Sequence, residues 1–180
     1  MIEVERKFRL NKDLQAHIEE DLRANYGATV AVRQVDEVFL QGITSFADFK
    51  QGMPVARLRT IGGRTEFAYK RQLNYAGDMM EHEMSLAPAA NMRAVLEDMG
   101  FHQVTLVDKT RLEANDGRIA RMVDVVVGLP DAFLEVEIII AEGGDKVEAE
   151  RQIMEVAAGY GLSEADIEPR KYDQLVVAAS

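Results

Sequence analysis

The chain has 180 residues, is 47% hydrophobic, contains no cysteine and carries a formal net charge of −10. Length and composition predict one folded domain over residues 1–180, and the missing thiols exclude a disulfide framework and any thiolate metal site. The acidic balance argues against a nucleic-acid binder held by a broad basic face. A local basic cluster can still bind a small polyanion, because near charges outweigh distant ones. No apolar run approaches membrane-spanning length, and the chain opens on charge instead of a signal-peptide apolar segment. The expected setting is the cytoplasm, with neither membrane nor nucleic acid as partner.

MIEVERKFRL alternates with period two. Glu3, Glu5, Lys7 and Arg9 share one strand face, and Ile2, Val4, Arg6, Phe8 and Leu10 the other. Asn11 reads as an N-cap, and Leu14, Ile18 and Leu22 lie four apart on a helix ending near Gly27. Residues 28–40 read as a strand and 41–53 as a loop. VARLRTI and RTEFAYKRQL flank Gly62-Gly63 as a hairpin. DMMEHEMSL is a short strand, and Pro88 opens a helix that Gly100 stops. QVTLVDKTRLEA and RIARMVDVVVGL form a second hairpin around Asn115-Asp116-Gly117. AFLEVEIII is a further strand. Residues 145–158 are helical in pattern, with Gly159 as the stop. Ser163 caps a short helix, and KYDQLVVAA is a last one. About eight strands, with helices between and after them, predict an α+β fold with a largely antiparallel sheet.

Charges recur in matched pairs within the strands: Glu3 and Glu5, Arg57 and Arg59, Glu81 and Glu83, Lys109 and Arg111, Glu135 and Glu137, with Lys70 and Asp124 single in theirs. The opposite faces are largely apolar: Val4, Phe8, Leu58, Met84, Leu106, Leu112, Val136 and Ile138. Two geometries produce this pattern. One is a sheet with a helix-covered apolar face and a solvated charged face. The other is a closed barrel with its charges turned inward, which is costly unless they meet ligands. The ligand that would match carboxylates together with guanidinium and ammonium groups is a metal-bound polyphosphate.

The opening Glu3-x-Glu5-x-Lys7 resembles the ExExK signature of the CYTH superfamily, the triphosphate tunnel metalloenzymes. That family includes class IV adenylate cyclases, thiamine triphosphatases and inorganic triphosphatases. RLR (Arg57, Arg59), Lys70, EHE (Glu81, Glu83), KTR (Lys109, Arg111), VDVV (Asp124), LEVE (Glu135, Glu137) and KYDQL (Lys171) follow in the family's order. The resemblance spans roughly residues 1–176. It implies an eight-stranded antiparallel closed β-barrel, a tunnel with helices packed outside. It implies that Glu3, Glu5, Glu135 and Glu137, with Asp124 beside them, hold Mg²⁺ or Mn²⁺. Lys7, Arg57, Arg59, Lys70, Lys109, Arg111 and Lys171 would cradle a triphosphate, and Glu81 or Glu83 would orient the bases or assist the metal. Glu3, Glu5, Lys7, Lys70 and Asp124 are the residues expected nearest the chemistry. Where many members carry a Tyr-Asp-Thr-like motif, this chain reads VFLQGIT, with Phe39 in the aromatic's place and no acid.

Hydrolysis of a triphosphate, inorganic or organic, needs only the triphosphate and a water. Cyclisation of a nucleoside triphosphate also needs the nucleoside held in one pose, and no motif for that is evident. The expected activity is therefore a metal-dependent triphosphatase releasing orthophosphate. A class IV adenylate cyclase is the alternative, and a non-catalytic polyphosphate-binding module the second. The expected partner is a triphosphate-bearing small molecule, and the chain is expected to be a monomer or a homodimer. His17, His82 and His102 lack metal-ligand spacing, and no phosphate-loop motif is present.

Overall fold

The first strand can bury only one of its faces, and two helices supply the cover. The structure, a computed structural model, describes residues 1–50, 52–72, 79–86 and 89–180, without the side chains of Gln72, Met79, Glu81, Leu86, Ala89 and Ala90. In chain order the elements are β1 (Ile2–Leu10), α1 (Lys12–Asn25), β2 (Val32–Gln41), a 3-10 turn (Phe46–Asp48), β3 (Val55–Ile61), β4 (Arg64–Gln72) and β5 (Met79–Leu86). There follow α2 (Ala89–Asp98), β6 (Phe101–Asn115), β7 (Ile119–Val126), β8 (Ala132–Ile140), α3 (Lys146–Gly159), a second 3-10 turn (Glu164–Asp166) and α4 (Tyr172–Ala179). The fold is α+β, with an eight-stranded antiparallel sheet in the order β1-β8-β7-β6-β2-β3-β4-β5. No helix among the described residues is long and apolar enough to cross a membrane.

Packing divides the chain into two compact units, Met1–Val32 with Thr110–Arg170, and Arg33–Lys109 with Lys171–Ser180. In the first, Val4, Phe8 and Leu10 of β1 join Leu134, Val136 and Ile138 of β8 under Ile18 and Leu22 of α1 and Ala149, Ile153 and Ala157 of α3. Each such large side chain contributes about 1.5–3 kcal/mol by leaving water. Asn11 caps α1, its Oδ1 accepting from the Leu14 N–H at 2.9 Å. The helix ends as the Ala28 N–H donates to the Leu22 carbonyl at 3.0 Å around Gly27, whose φ is +73°. That closure occupies the chain past residue 27, so β2 starts at Val32 and not at 28. One helix stop is shifted. α3 includes Gly159, and Gly161 takes the left-handed φ of +78°.

In the second unit, Phe39, Ala56, Leu58 and Phe101 pack with Leu96 of α2, and Phe67, Tyr69 and Met92 lie at the margin. α2 is ten residues long, about 15 Å of helix. Its cover stops short of two positions expected on the apolar face, and Met84 and Leu106 remain 50% and 46% exposed.

Candidate functional site

In the first unit the helices cover one sheet face, and the alternation of β1, β8 and β7 sends their carboxylates, with Lys7 and Arg9, to the other, while Arg6 and Arg121 stay on the helix side. Strand register sets Glu5 opposite Glu137, Lys7 opposite Glu135 and Arg9 opposite Phe133. Across the next ladder, Glu137 faces Ala120, Glu135 faces Met122 and Phe133 faces Asp124. Like charges directly opposite on antiparallel strands are destabilising, so the Glu5–Glu137 pair is a cost in the bare protein. One carboxylate oxygen from each of Glu3, Glu5 and Glu137 lies within 4.8 Å of the others. Glu137 is half-buried, and its carboxyl is pushed up to about 8. Burial is the first cause, followed by a hydrogen bond with Glu3 and the charges of Glu3 and Glu5, while Arg111 opposes them. The donor set fits a hard divalent cation. Its three ligands are all carboxylates, and opposite oxygens around Mg²⁺ stand about 4.2 Å apart. A cation would also relieve the crowding that makes Glu137 keep its proton.

Asp124 and Glu135 are brought together elsewhere, by Arg111. The Arg111 guanidinium donates to both oxygens of Asp124, at 2.8 and 2.6 Å, and also to Glu135. Asp124 is fully buried and Glu135 nearly so. A buried charge of this kind is tolerable only when paired and hydrogen-bonded. Arg111 also reaches the Met122 sulfur at 2.8 Å. The structure thus groups the five acids expected at the metal into three that share a space and two that hold an arginine. Beside them, Lys7 and Arg9 flank the buried Phe133 ring, at 5.9 and 5.6 Å from its centroid. The Lys7 ammonium donates to the Arg170 carbonyl at 2.5 Å.

The second unit carries a basic set on its own charged face. Arg59 donates to both oxygens of Asp36, each at 2.7 Å, and lies directly opposite it in the β2–β3 ladder. Burial would raise the Asp36 carboxyl, but the hydrogen bonds from Arg59 and the charges of Arg59, Arg57 and Lys109 outweigh it and hold the group low. Arg57 reaches across Ala68 of β4 and donates to Glu83 of β5 at 2.8 Å. Lys70 is half-buried and in register with Glu81, whose side chain lies outside the described residues. Lys109 is only 2% exposed, and its ammonium stands 4.8 Å over the ring of Tyr172. Lys171 is exposed at the N-cap of α4, its backbone N–H donating to the Gln174 side chain at 3.0 Å.

A family model described as the CYTH domain matches residues 1–172. The chain belongs to the CYTH family. Solved structures with this CYTH fold include the PH1012 protein of Pyrococcus horikoshii OT3, 24% identical, covering 97% of this chain and 99% of that one, with a TM-score of 0.77. A "putative adenylate cyclase" from Vibrio parahaemolyticus is 20% identical, covering 98% of both chains, with a TM-score of 0.77. Another "putative adenylate cyclase", from Bacillus halodurans, is 18% identical, covering 97% and 96%, with a TM-score of 0.67. No curated protein matches the sequence. Identities this low carry the fold alone.

Three residues that the CYTH pattern does not mark are nonetheless part of these surroundings. Asp36 holds Arg59. Its signal was Asp36-Glu37 within an apolar strand, because two consecutive acids must place one on each face. Phe133 forms an apolar floor beside Lys7, and its signal was its place two residues before Glu135 on the same strand face. Glu168, 5% exposed, accepts from Arg9 and Arg170. Phe39, expected in the place of the family's substrate-side aromatic, is instead fully buried in the second unit's core. His17, His82 and His102 are all exposed.

Proposed function

We propose that this CYTH protein is a metal-dependent triphosphatase that hydrolyses a triphosphate and releases orthophosphate. The observation that carries the reading is the crowding of Glu3, Glu5 and Glu137, with the Glu137 carboxyl at about 8. Such a cluster is unfavourable alone and becomes favourable with a hard cation. Mg²⁺ or Mn²⁺ held by these three would neutralise phosphate oxygens and make a bound water more acidic. The reading takes the sheet to close as a tunnel around one triphosphate.

Within that reading the side chains divide their work. Arg57, Arg59 and Arg111 grip phosphate oxygens through planar forks, which lysine cannot do. Asp36, Glu83, Asp124 and Glu135 hold those forks in place. Lys7, Lys70, Lys109 and Lys171 supply point charges along the chain of phosphates. Phosphoryl transfer needs alignment and charge neutralisation more than covalent chemistry, and this is the assistance such side chains give. The expected ligand is a triphosphate-bearing small molecule, and the protein is taken to work as a cytoplasmic monomer or homodimer.

A class IV adenylate cyclase is the second reading. It is favoured by the resemblance of the layout, EHE and KYDQL included, to the class IV cyclase branch and by the names of the Vibrio and Bacillus proteins that share the fold. The test is product analysis with Mg²⁺ or Mn²⁺ and, separately, tripolyphosphate, ATP and thiamine triphosphate. Orthophosphate without cyclic AMP supports the triphosphatase. Cyclic AMP with equal pyrophosphate replaces it with the cyclase. Tight metal-dependent binding without turnover replaces both with a polyphosphate-binding module.

A further inference from the structure

Glu168 lies outside the segments that carry the family pattern, yet few side chains here are held by more bonds. Its Oε1 accepts from the Arg170 backbone N–H and from Arg170 Nε, both at 2.9 Å. Its Oε2 accepts from Arg170 Nη2 at 2.8 Å and from Arg9. Its own backbone N–H donates to the Lys7 carbonyl at 2.8 Å, and Ile167 bridges to Phe8. The segment 167–170 is thereby folded back along β1. Its far end returns to the same residue, because the Arg170 carbonyl accepts from the Lys7 ammonium at 2.5 Å.

The arrangement is a closed loop of contacts, running from the Lys7 backbone to Glu168, through the Arg170 backbone, to the Lys7 ammonium. A lysine ammonium on a four-carbon stem is otherwise free to sample many rotamers, and binding a ligand with it costs that freedom. Fixing it beforehand removes the cost from the binding step. Arg9 takes part in the same clamp, salt-bridged to Glu168 and to Asp131, the latter at 2.8 Å.

We propose that Glu168 is a positioning residue, which fixes the Lys7 ammonium for a phosphate group by holding the Arg170 carbonyl against β1. The proposal rests on the triphosphatase reading for what Lys7 binds, but the positioning itself can be measured without it. The experiment is a double-mutant cycle of Glu168→Gln and Lys7→Ala, assayed with tripolyphosphate and Mn²⁺, together with the rate at which an amine-acylating reagent labels Lys7, read by mass spectrometry. Glu168→Gln should raise KM about tenfold with kcat within about twofold, and should add nothing further once Lys7 is alanine. Lys7 labelling should quicken several-fold in Glu168→Gln. Equal losses with and without Lys7, or unchanged labelling, overturn the proposal, because a merely structural role gives that result.

Arg170→Ala is the second variant, since its side chain is half exposed and Glu168 keeps Arg9. It should raise KM about threefold, again only with Lys7 present. No change in either KM or labelling also overturns the proposal. Should the unaltered protein neither bind nor hydrolyse tripolyphosphate, the functional reading falls, and the labelling rates still decide the positioning.

Discussion

Replacing Glu137 by Gln in the metal-free protein should stabilise it at alkaline pH. The Glu137 carboxyl sits at about 8 against an ordinary 4.5, raised first by burial and then by Glu3 and Glu5. The folded state therefore holds a proton that the unfolded chain releases. Between 4.5 and about 8 the folded form binds more protons, so stability falls as pH rises through that window and levels off above it. At face value the shift corresponds to about 4–5 kcal/mol. Solvent reaches part of the cluster, and screening reduces the share felt by the fold to about 1–2 kcal/mol. For a chain of this size, that is roughly 2–8 °C in Tm. Thermal melts in EDTA at pH 5 and pH 8.5 should show the variant melting above the parent at pH 8.5 and close to it at pH 5. Saturating Mn²⁺ should reverse the order at pH 8.5, because the variant has lost a ligand. Parallel pH profiles for the two proteins in EDTA would refute the crowding argument.

Arg57→Ala or Arg59→Ala should lower kcat/KM for every triphosphate by about 10²–10³-fold while the far-UV circular dichroism stays unchanged; retained activity removes that arginine from the site. Asp124→Asn leaves Arg111 buried beside one acid instead of two, and should cost about 3–5 kcal/mol in urea unfolding, where a loss below 1 kcal/mol would mean the pair is not isolated from water. Ile153→Ala, at a fully buried position of α3, should cost about 2–5 kcal/mol with little change in Mn²⁺ affinity. A coupled loss of metal binding would mean the α3 core and the carboxylate face are not independent.

The period-two alternation of β1 and β8 made both faces legible before any coordinates, because a strand's side chains can only alternate. The hairpin turns were equally readable, since Gly62-Gly63 and Asn115-Asp116-Gly117 supply the positive φ their turns require. Where ladders begin was less readable. Residues 28–31 have strand-like composition, but the helix closure at Ala28 uses the chain first. The pairing of charges was not readable at all. Spacing placed Arg59, Arg111, Asp124 and Glu135 on charged faces, but only register and strand neighbours decide that Arg59 meets Asp36 and that Arg111 meets two acids. Glu168 was the least legible, because beside the adjacent Arg170 it is held by Arg9 and the Lys7 carbonyl, on a strand at the other end of the sequence.

That pairing bears on which acids hold the metal. By resemblance alone, Glu135 and Glu137 are equivalent members of one ExE pair. In the fold they are not, because Arg111 on β6 already ion-pairs Glu135 and Asp124, while Glu137 faces Ala120 and two other carboxylates. A cation gains most where negative charge is uncompensated, so Glu3→Gln, Glu5→Gln and Glu137→Gln should each weaken Mn²⁺ binding at pH 8.5 by about tenfold or more. Glu135→Gln should weaken it by about threefold or less, because it acts through Arg111. Binding should also release close to one proton near pH 7, where Glu137 remains largely protonated. Titration calorimetry in two buffers of different ionisation heat measures both quantities. Equal losses from Glu135 and Glu137, with no proton released, would show that Arg111 gives way and that all the acids act as one metal-binding set.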